Sequence, residues 1–229
     1  MAAGRGSRMG ALTEKVPKPM LVVAGKTLLE HKFNVLPDVV DEIILVVGYL
    51  EDVIKSRFGD SYNGRRIQYV TQKNFVGGTM DAVLTARPLL RDRFFVMNGD
   101  NIYTGEDMTK CLEHEWATVV EKTSSLGHAA SVTAAGDGSV IDIVEASYHS
   151  GGPGIGNLNL YLFDARLFDY PPVPKGPGAT ELGLPQTAVA AAKALGISFK
   201  AVEASFWIQI KDPSDLARAE EQLAKRGKM

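Results

Sequence analysis

A series of short apolar runs, each followed by a helical pattern, constrains the fold most strongly. Residues 42–47 (EIILVV) are almost continuously apolar and end at Gly48, which is typical of a strand buried on both faces. Residues 66–70 and 94–97 predict two further strands, and residues 28–36, 50–58 and 80–90 predict the helices between them. Alternating strands and helices predict an α/β fold with a mainly parallel sheet, in which ligands bind at the carboxyl ends of strands.

The composition excludes several classes of protein. A hydrophobic content of 45% and a charged content of 23% are typical of a globular chain. The net charge of −2 argues against broad binding to nucleic acid or anionic membranes, so a phosphate site needs a local concentration of positive charge. No apolar run approaches the roughly 20 residues of a membrane span. Cys111 is the single cysteine, so we expect no internal disulfide and a cytoplasmic protein.

The N-terminal residues 1–20 concentrate small and basic side chains. Gly4 and Gly6 let the backbone approach a ligand closely, and successive N–H groups in a tight loop form an anion-binding concavity. Arg8 and Lys18 supply positive charge for a polyphosphate, and Lys18 is held on a stiff backbone between two prolines. A flexible basic N-terminus is the alternative interpretation.

Two well-known phosphate loops do not fit this segment, because Met9 and Met20 stand where their motifs need glycine. The segment instead resembles the signature of the sugar nucleotidyltransferases, the nucleoside-diphosphate-sugar pyrophosphorylases. Their A-A-G-x-G-x-R motif, followed about ten residues later by P-K-P, reads here as residues 2–8 (AAGRGSR) and 17–19 (PKP). Among these enzymes the resemblance is to glucose-1-phosphate thymidylyl- and uridylyltransferases. It implies a Rossmann-like, mainly parallel sheet flanked by helices, and nucleotide binding by Ala3, Gly4 and Gly6.

Members of that family carry a first β-strand before the two alanines, in the middle of the sheet. The sequence as given begins at Met1, and we expect it to start after this strand. The alternative is a fold that lacks a core strand and exposes ladder groups on its neighbours.

Asp100 is the candidate metal ligand. It follows the predicted strand 94–97, so we expect it at the carboxyl end where ligands bind. A carboxylate there suits Mg²⁺, which prefers oxygen ligands and substrate phosphates. The resemblance points the same way, because a G-D pair at this location supplies the family's metal aspartate. A turn residue or a helix cap is the alternative role.

Gln72 and the following Gly77, Gly78 and Thr79 resemble the family's base-reading segment, Q-x-x-x-x-G-T. A glutamine amide carries both a donor and an acceptor, so it can pair with the N3–H and O4 edge of uracil or thymine. Guanylyl-transferring relatives tend to have an acid at the first position of this segment, so the resemblance favours UTP or dTTP over GTP. A surface glutamine before a glycine-rich helix start is the alternative.

The acceptor half carries weaker matches to the family. Gly127 resembles the glycine of the Y-G pair in the sugar pocket. Glu145 resembles the glutamate of the E-K-P segment, Asn157 the first asparagine of N-A-G-I-Y, and Glu181 the glutamate of E-x-x-L-T-D. The resemblance makes these four residues candidates for binding the sugar phosphate. Ala146 replaces the lysine that contacts the sugar phosphate in relatives, and each of the four could instead be a structural polar residue.

The end of the chain departs from the family. Relatives read W-x-D-I-G-x-P, with the aspartate as a second metal ligand, and this chain has Gln209 at that position. A carboxamide is a poorer Mg²⁺ ligand than a carboxylate, although Mg²⁺ held by one carboxylate, phosphates and water is acceptable.

The sequence thus predicts one domain over residues 1–229, with a nucleotide-binding half at about 1–115 and an acceptor-binding half at about 116–229. The predicted reaction joins a nucleoside triphosphate to a sugar 1-phosphate with Mg²⁺ and releases pyrophosphate, with Arg8, Lys18 and Asp100 as catalytic residues. Small molecules are the expected partners, without nucleic acid or membrane, and a homo-oligomer stays an open alternative. Two other functions also stay open: a cytidylyl or guanylyl transferase with another phosphorylated acceptor, and a catalytically weak nucleotide-binding regulator.

Overall fold

The computed structural model describes residues 1–74 and 77–226. In chain order the strands are β1 (Val22–Val23), β2 (Lys26–Thr27), β3 (Glu42–Val47), β4 (Ser61–Tyr62), β5 (Arg65–Thr71), β6 (Arg93–Met97), β7 (Asn101–Ile102), β8 (Trp116–Thr123), β9 (Ser131–Ala134), β10 (Val140–Val144), β11 (Gly154–Asp164), β12 (Phe199–Glu203) and β13 (Ile208–Gln209). The α-helices are α1 (Leu28–Phe33), α2 (Glu51–Phe58), α3 (Gly78–Ala86), α4 (Gly105–Leu112), α5 (Leu184–Leu195) and α6 (Ser214–Arg226). Short 3₁₀ helices include Ser7–Thr13, Lys18–Met20 and Ala146–Tyr148.

The chain forms two compact units whose segments alternate along the sequence. Unit 1 comprises Met1–Lys73, Asn98–Gly105 and the segment from Phe206 onwards, and unit 2 comprises Asn74–Met97 and Glu106–Ser205. The expectation of one domain divided near residue 115 stays a prediction.

Unit 1 contains the first two predicted strands. β3 and β5 pair in parallel, with β4 antiparallel to β5 at the edge, so the strands predicted at 42–47 and 66–70 are confirmed. The core between this sheet and the neighbouring helices includes Phe33 of α1 and Phe58 of α2, whose ring centroids lie 5.1 Å apart. A capping box at Thr27 and Glu30 starts α1, because each side chain accepts a hydrogen bond from the other residue's backbone N–H.

Unit 2 contains a six-stranded mixed sheet. Its strand order is β10-β9-β11-β8-β12, with β6 on the remaining side of β11. β8 and β12 are parallel, whereas β11 is antiparallel to β6, β8 and β9. The strand predicted at 94–97 is therefore present but pairs antiparallel, since a buried apolar run predicts burial without fixing the direction of its neighbour. The α/β class with helices flanking the sheets is confirmed.

The C-terminal helices follow their sequence signals. α5 ends at Gly196, which adopts the left-handed conformation typical of a helix C-terminus. Asp212 caps the start of α6, since its Oδ1 accepts a hydrogen bond from the backbone N–H of Ser214 at 2.9 Å. The longest α-helix of the described chain is α6 with 13 residues, and no helix there has the length and apolarity to span a bilayer.

Candidate active site

Residues 2–8 of unit 1, here called the glycine loop, begin at the carboxyl end of the parallel strands β3 and β5. The backbone N–H of Ala2 donates to the Val46 carbonyl of β3 at 2.7 Å, and that of Tyr49 donates to the Ala3 carbonyl at 3.0 Å. The backbone N–H of Gln72 donates to the Val47 carbonyl at 2.9 Å. The start of the loop and Gln72 therefore meet at the sheet edge where α/β folds bind ligands.

Gly6 packs directly against Lys18. Gly6 is left-handed, with φ 66° and ψ 35°, and a Cβ atom built on it would lie 2.8 Å from the Cβ of Lys18. The Gly6 carbonyl accepts hydrogen bonds from the Met9 N–H and the Thr13 hydroxyl, which close the loop. Glycine is required here for two reasons, the backbone conformation and the close approach of the lysine.

Lys18 and Asp100 form an ion pair. Lys18 Nζ lies 2.8 Å from Asp100 Oδ2, and Lys18 is 6% exposed. The structure thus brings together two of the three predicted catalytic residues, 82 positions apart in sequence. The third, Arg8, is exposed, as is Gly4.

The two-stranded pair β7–β13 brings Gln209 beside Asp100. Gln209 lies opposite Asn101, and the backbone N–H of Ile210 donates to the Asp100 carbonyl at 2.9 Å. The position at which the family resemblance placed a second metal ligand is therefore next to the candidate metal aspartate in space.

Lys32, which sequence analysis missed, lies beside the ion pair of Lys18 and Asp100. Its Nζ donates to the Gly99 carbonyl at 3.0 Å and to the Leu28 carbonyl at 3.1 Å. Burial lowers the pKa of Lys32 to about 7, with the charge of Asp100 opposing and that of Lys18 adding to the effect. A lysine among the buried apolar residues of α1 was the available signal.

The donor set of unit 1 fits a weakly held Mg²⁺. Within the described ranges 1–74 and 77–226, no three His, Cys, Asp or Glu side chains gather to form a protein-only metal cage. Asp100 offers one carboxylate at the glycine loop, and Mg²⁺ commonly takes one or two carboxylates together with substrate phosphates and water. The residues present therefore fit Mg²⁺ that arrives with a triphosphate.

In unit 2 the residues Gly77–Thr79 pack against the segment 181–184. Gly78 has φ 87°, and a Cβ atom on it would lie 2.5 Å from the Leu182 carbonyl oxygen. The Thr79 hydroxyl accepts a hydrogen bond from the Leu184 N–H at 3.0 Å. These contacts give Gly78 and Thr79 a structural role in joining α3 to the start of α5, and their role in base reading stays a prediction. Two residues of the same segment, 75 and 76, lie outside the described residues.

Two of the predicted acceptor-binding carboxylates share a lysine that sequence analysis missed. Lys175 Nζ lies 2.5 Å from Glu181 Oε2. This hydrogen bond raises the pKa of Lys175 most strongly, and the charges of Glu181 and Glu145 raise it further. Backbone hydrogen bonds between 173–175 and 181–183 hold this lysine in place. Glu145 also accepts a hydrogen bond from Gln186 Nε2 at 3.4 Å. The available signal was a lysine between Pro174 and Gly176 in the sequence.

Asn157 lies inside unit 2 at an irregularity of β11. It is 2% exposed, its Oδ1 accepts from the Thr118 hydroxyl and the Asn159 N–H, and its Nδ2 donates to the Tyr161 hydroxyl. The β8–β11 register shifts between residues 157 and 161, and Asn159 has φ 58°. Asn157 therefore fixes this bulge, and contact with a sugar hydroxyl stays a prediction.

Tyr161 joins Asn157 electrostatically to the carboxylate cluster. Burial raises the pKa of Tyr161 most strongly, and the charge of Glu145 raises it further. Gly127 lies in a turn with φ 53°, in which Leu126 donates its N–H to the Gly152 carbonyl. The charge of Glu145 thus acts on both Lys175 and Tyr161, and Gly127 contributes a turn of the backbone.

An α/β fold with a glycine loop packed on a lysine–aspartate pair is what the resemblance to the sugar nucleotidyltransferases implies. Comparison with known protein families agrees with this class. The chain belongs to the MobA-like NTP transferase domain family, whose model matches residues 1–153.

Two relatives are similar in sequence to this chain over part of their length. The chain is 32% identical over 169 residues to the bifunctional protein GlmU of Methanocaldococcus jannaschii, covering 74% of this chain and 40% of that protein. It is 38% identical over 104 residues to the UTP–glucose-1-phosphate uridylyltransferase AglF of Haloferax volcanii, covering 45% of this chain and 42% of that protein. The chain thus spans about two fifths of the length of these relatives.

A solved structure agrees with the fold. The inositol-1-phosphate CTP transferase of T. maritima superposes with a TM-score of 0.78 at 19% identity, covering 98% of this chain and 93% of that one. The resemblance to the sugar nucleotidyltransferase family is confirmed.

The contact between Gly6 and Lys18 gives a first testable prediction. Gly6→Ala is expected to lower the free energy of unfolding by about 2–4 kcal/mol, because a left-handed alanine costs about 1 kcal/mol and the clash with Lys18 adds the remainder. Urea denaturation measures this difference.

Gly196→Ala is the matched control. Gly196 has φ 68° and ψ 29°, almost the same as Gly6, but its Cβ would meet nothing within 4 Å. We expect this control to cost only about 1 kcal/mol. Equal losses in the two variants would show that packing on Lys18 is unimportant.

Proposed function

We propose that this protein transfers a nucleotidyl group from a nucleoside triphosphate, with UTP or dTTP favoured, to a sugar 1-phosphate. The observation that carries the proposal is the Lys18–Asp100 pair, 2.8 Å apart, on which the glycine loop packs through Gly6. The curated relatives, a GlmU protein and a uridylyltransferase, support the same class of reaction.

The triphosphate would bind at the glycine loop. The backbone amides of residues 4–6 would face the phosphates, and the exposed Arg8 guanidinium would reach them as a fork of donors. An acceptor phosphate oxygen would attack the α-phosphorus in line, the bond to the β-phosphate oxygen would break, and pyrophosphate would leave. Such a reaction needs positioning and charge neutralisation more than acid–base groups.

Lys18 and Asp100 would divide the work of charge neutralisation. The Lys18 ammonium would stabilise negative charge on the reacting phosphates, and Asp100 would hold Mg²⁺. When bound, Mg²⁺ would supply a further positive charge at the phosphate oxygens. The two side chains neutralise each other, which accounts for a buried lysine beside a carboxylate.

Base and acceptor would be recognised by different residues. Gln72, at the carboxyl edge of β3 and β5, would pair with the N3–H and O4 edge of uracil or thymine. In unit 2, Glu145 and Glu181 would accept hydrogen bonds from sugar hydroxyls, with Lys175 holding Glu181 in position. Asn157 would complete this set, and Gly127 would line the acceptor pocket.

Gln209 gives a prediction about the metal. Because Gln209 lies opposite Asn101, beside Asp100, Gln209→Asp would add a second carboxylate near the first. We expect the Mg²⁺ concentration for half-maximal pyrophosphate release to fall about tenfold, which corresponds to roughly 1.4 kcal/mol. Gln209→Asn, which keeps a carboxamide, is the control and is expected not to gain affinity for Mg²⁺.

A cytidylyl or guanylyl transferase with another phosphorylated acceptor is the second candidate. The observation that favours it is Ala146, which opens the 3₁₀ helix Ala146–Tyr148 where the family resemblance places a sugar-phosphate lysine. A catalytically weak nucleotide-binding regulator is the third candidate, because Gln209 replaces a metal carboxylate.

One experiment separates these candidates. Pyrophosphate release is measured with Mg²⁺ for UTP, dTTP, CTP and GTP, each crossed with a panel of sugar 1-phosphates and other phosphorylated acceptors. Release that depends on UTP or dTTP with a sugar 1-phosphate would support the proposal, and release with CTP or GTP would favour the second candidate. Nucleotide binding without release for any pair would favour a regulator.

A further inference from the structure

Lys32 is a charged residue at a core position. It lies in the last turn of α1, whose other buried residues include Leu28, Leu29 and Phe33, and it is 3% exposed. Lysine is rarely buried to this extent unless it has specific partners. Its position therefore calls for a reason beyond packing.

The partners of Lys32 are two backbone carbonyls. One is Leu28, one turn earlier in α1, at 3.1 Å, and the other is Gly99, 67 residues away in sequence, at 3.0 Å. The Lys32 ammonium therefore joins α1 to the turn that carries Asp100.

The same turn is restrained on its other sides. A Cβ atom built on Gly99 would lie 2.7 Å from the Met1 carbonyl oxygen and 2.8 Å from Pro19 Cγ. The Asp100 carbonyl accepts a hydrogen bond from the Ile210 N–H at 2.9 Å. The Asp100 carboxylate accepts a hydrogen bond from Lys18 Nζ. The Gly99 carbonyl and the Asp100 nitrogen and Cα lie in one peptide plane. A hydrogen bond that holds the Gly99 carbonyl therefore also holds the orientation of the Asp100 N–Cα bond.

This arrangement is unfavourable for stability alone. Two neutral carbonyls compensate poorly for the lost hydration of an ammonium, and burial lowers the pKa of Lys32 to about 7. Replacing a whole set of buried charged partners with apolar residues of similar volume is often neutral or stabilising. In Lys32→Met only the ammonium is removed, and the burial cost that this relieves offsets the loss of its two hydrogen bonds to neutral carbonyls. Methionine has nearly the length of lysine and would fit among the apolar residues of α1.

We propose that Lys32 is a positioning residue, which holds the Gly99–Asp100 peptide so that the Asp100 carboxylate is aimed for metal binding and catalysis. This inference rests on the proposed function, in which Asp100 holds Mg²⁺. Lys32 acts through the backbone of the turn and does not itself touch substrate.

The test compares Lys32→Met with the wild type in three measurements. These are the thermal unfolding temperature, the dissociation constant of Mn²⁺ measured by electron paramagnetic resonance in the presence of UTP, and kcat and KM for pyrophosphate release. We expect an unchanged or higher unfolding temperature, Mn²⁺ binding weakened about 10- to 100-fold, and a fall in kcat without a matching rise in the KM of the acceptor. Lys225→Met is the control, because Lys225 is an exposed lysine that pairs with Glu221 on α6.

The three measurements decide whether Lys32 positions Asp100 for metal binding. Unchanged Mn²⁺ affinity in Lys32→Met would overturn the proposal, as would a wild-type protein that binds no Mn²⁺ with UTP. A fall in the unfolding temperature of more than about 5 °C would assign Lys32 to structure and would also overturn it. Because Mn²⁺ binding needs no turnover, a wild type that binds Mn²⁺ but releases no pyrophosphate would refute the proposed reaction without affecting the result for Lys32.

Discussion

Lys18→Met is expected to lower kcat for pyrophosphate release about 100- to 1,000-fold, which is the loss typical when one preorganised charged donor is removed from a reacting centre. Methionine preserves the length of the side chain, so the packing of Gly6 on residue 18 is retained. The lost group is the ammonium that now lies 2.8 Å from Asp100. Steady-state kinetics with the best pair from the substrate panel measure the effect.

The stability of the same variant should fall only modestly. Removing the ammonium leaves the partly buried carboxylate of Asp100 without its partner, which costs about 1–3 kcal/mol. Lys15→Met, at an exposed lysine of the same segment, is the control and should retain wild-type kcat. A Lys18→Met variant that binds nucleotide and keeps kcat within threefold of the wild type would exclude the assigned role of Lys18.

The sequence predicted those parts of the protein that depend on neighbouring residues. The strands β3 and β5 follow from local patterns, and the structure confirms them. The end of α5 at Gly196 and the cap at Asp212 also depend on neighbouring residues. The family was reached differently, through the resemblance of residues 2–8 and 17–19 to the signature of the sugar nucleotidyltransferases.

The direction of strand pairing required information that local patterns do not contain. β6 has the apolar sequence of a buried strand, but its partner β11 begins more than 50 residues later and runs antiparallel to it. A register shift in β11 and the left-handed Asn159 accompany the hydrogen bonds around Asn157 and Tyr161, one of which joins β11 to β8. The fold class was therefore predictable, whereas the mixed pairing of the unit 2 sheet was not.

The charged residues missed from the sequence share one property. Lys32 acquires its role from a carbonyl 67 residues away, and Lys175 from the carboxylates of Glu181 and Glu145. A lysine on an apolar helix face, or between proline and glycine in a loop, signals an unusual environment. Neither pattern reveals which group the ammonium will meet, because that depends on tertiary contacts.

Asp100→Asn is expected to have the opposite effect to Lys18→Met on metal-free nucleotide binding. In the free protein the Asp100 carboxylate holds the Lys18 ammonium, and it also repels the phosphates of an incoming nucleotide. An asparagine of the same shape removes the repulsion and releases Lys18. We therefore expect UTP to bind about tenfold more tightly without metal in Asp100→Asn, and more weakly in Lys18→Met.

With Mg²⁺ present, the same Asp100→Asn variant should lose activity. A carboxamide is a poor Mg²⁺ ligand, so kcat should fall about 100- to 1,000-fold and the response to Mg²⁺ should weaken. Calorimetric titration with UTP, with and without Mg²⁺, measures both effects, and Asp41→Asn at an exposed aspartate of unit 1 is the control. If Asp100→Asn retained its response to Mg²⁺, the metal would be held elsewhere. If both variants weakened metal-free binding of UTP, Asp100 would serve only to hold Lys18 in place. A gain in affinity for Asp100→Asn and a loss for Lys18→Met are expected only if the carboxylate competes with the phosphates for the Lys18 ammonium.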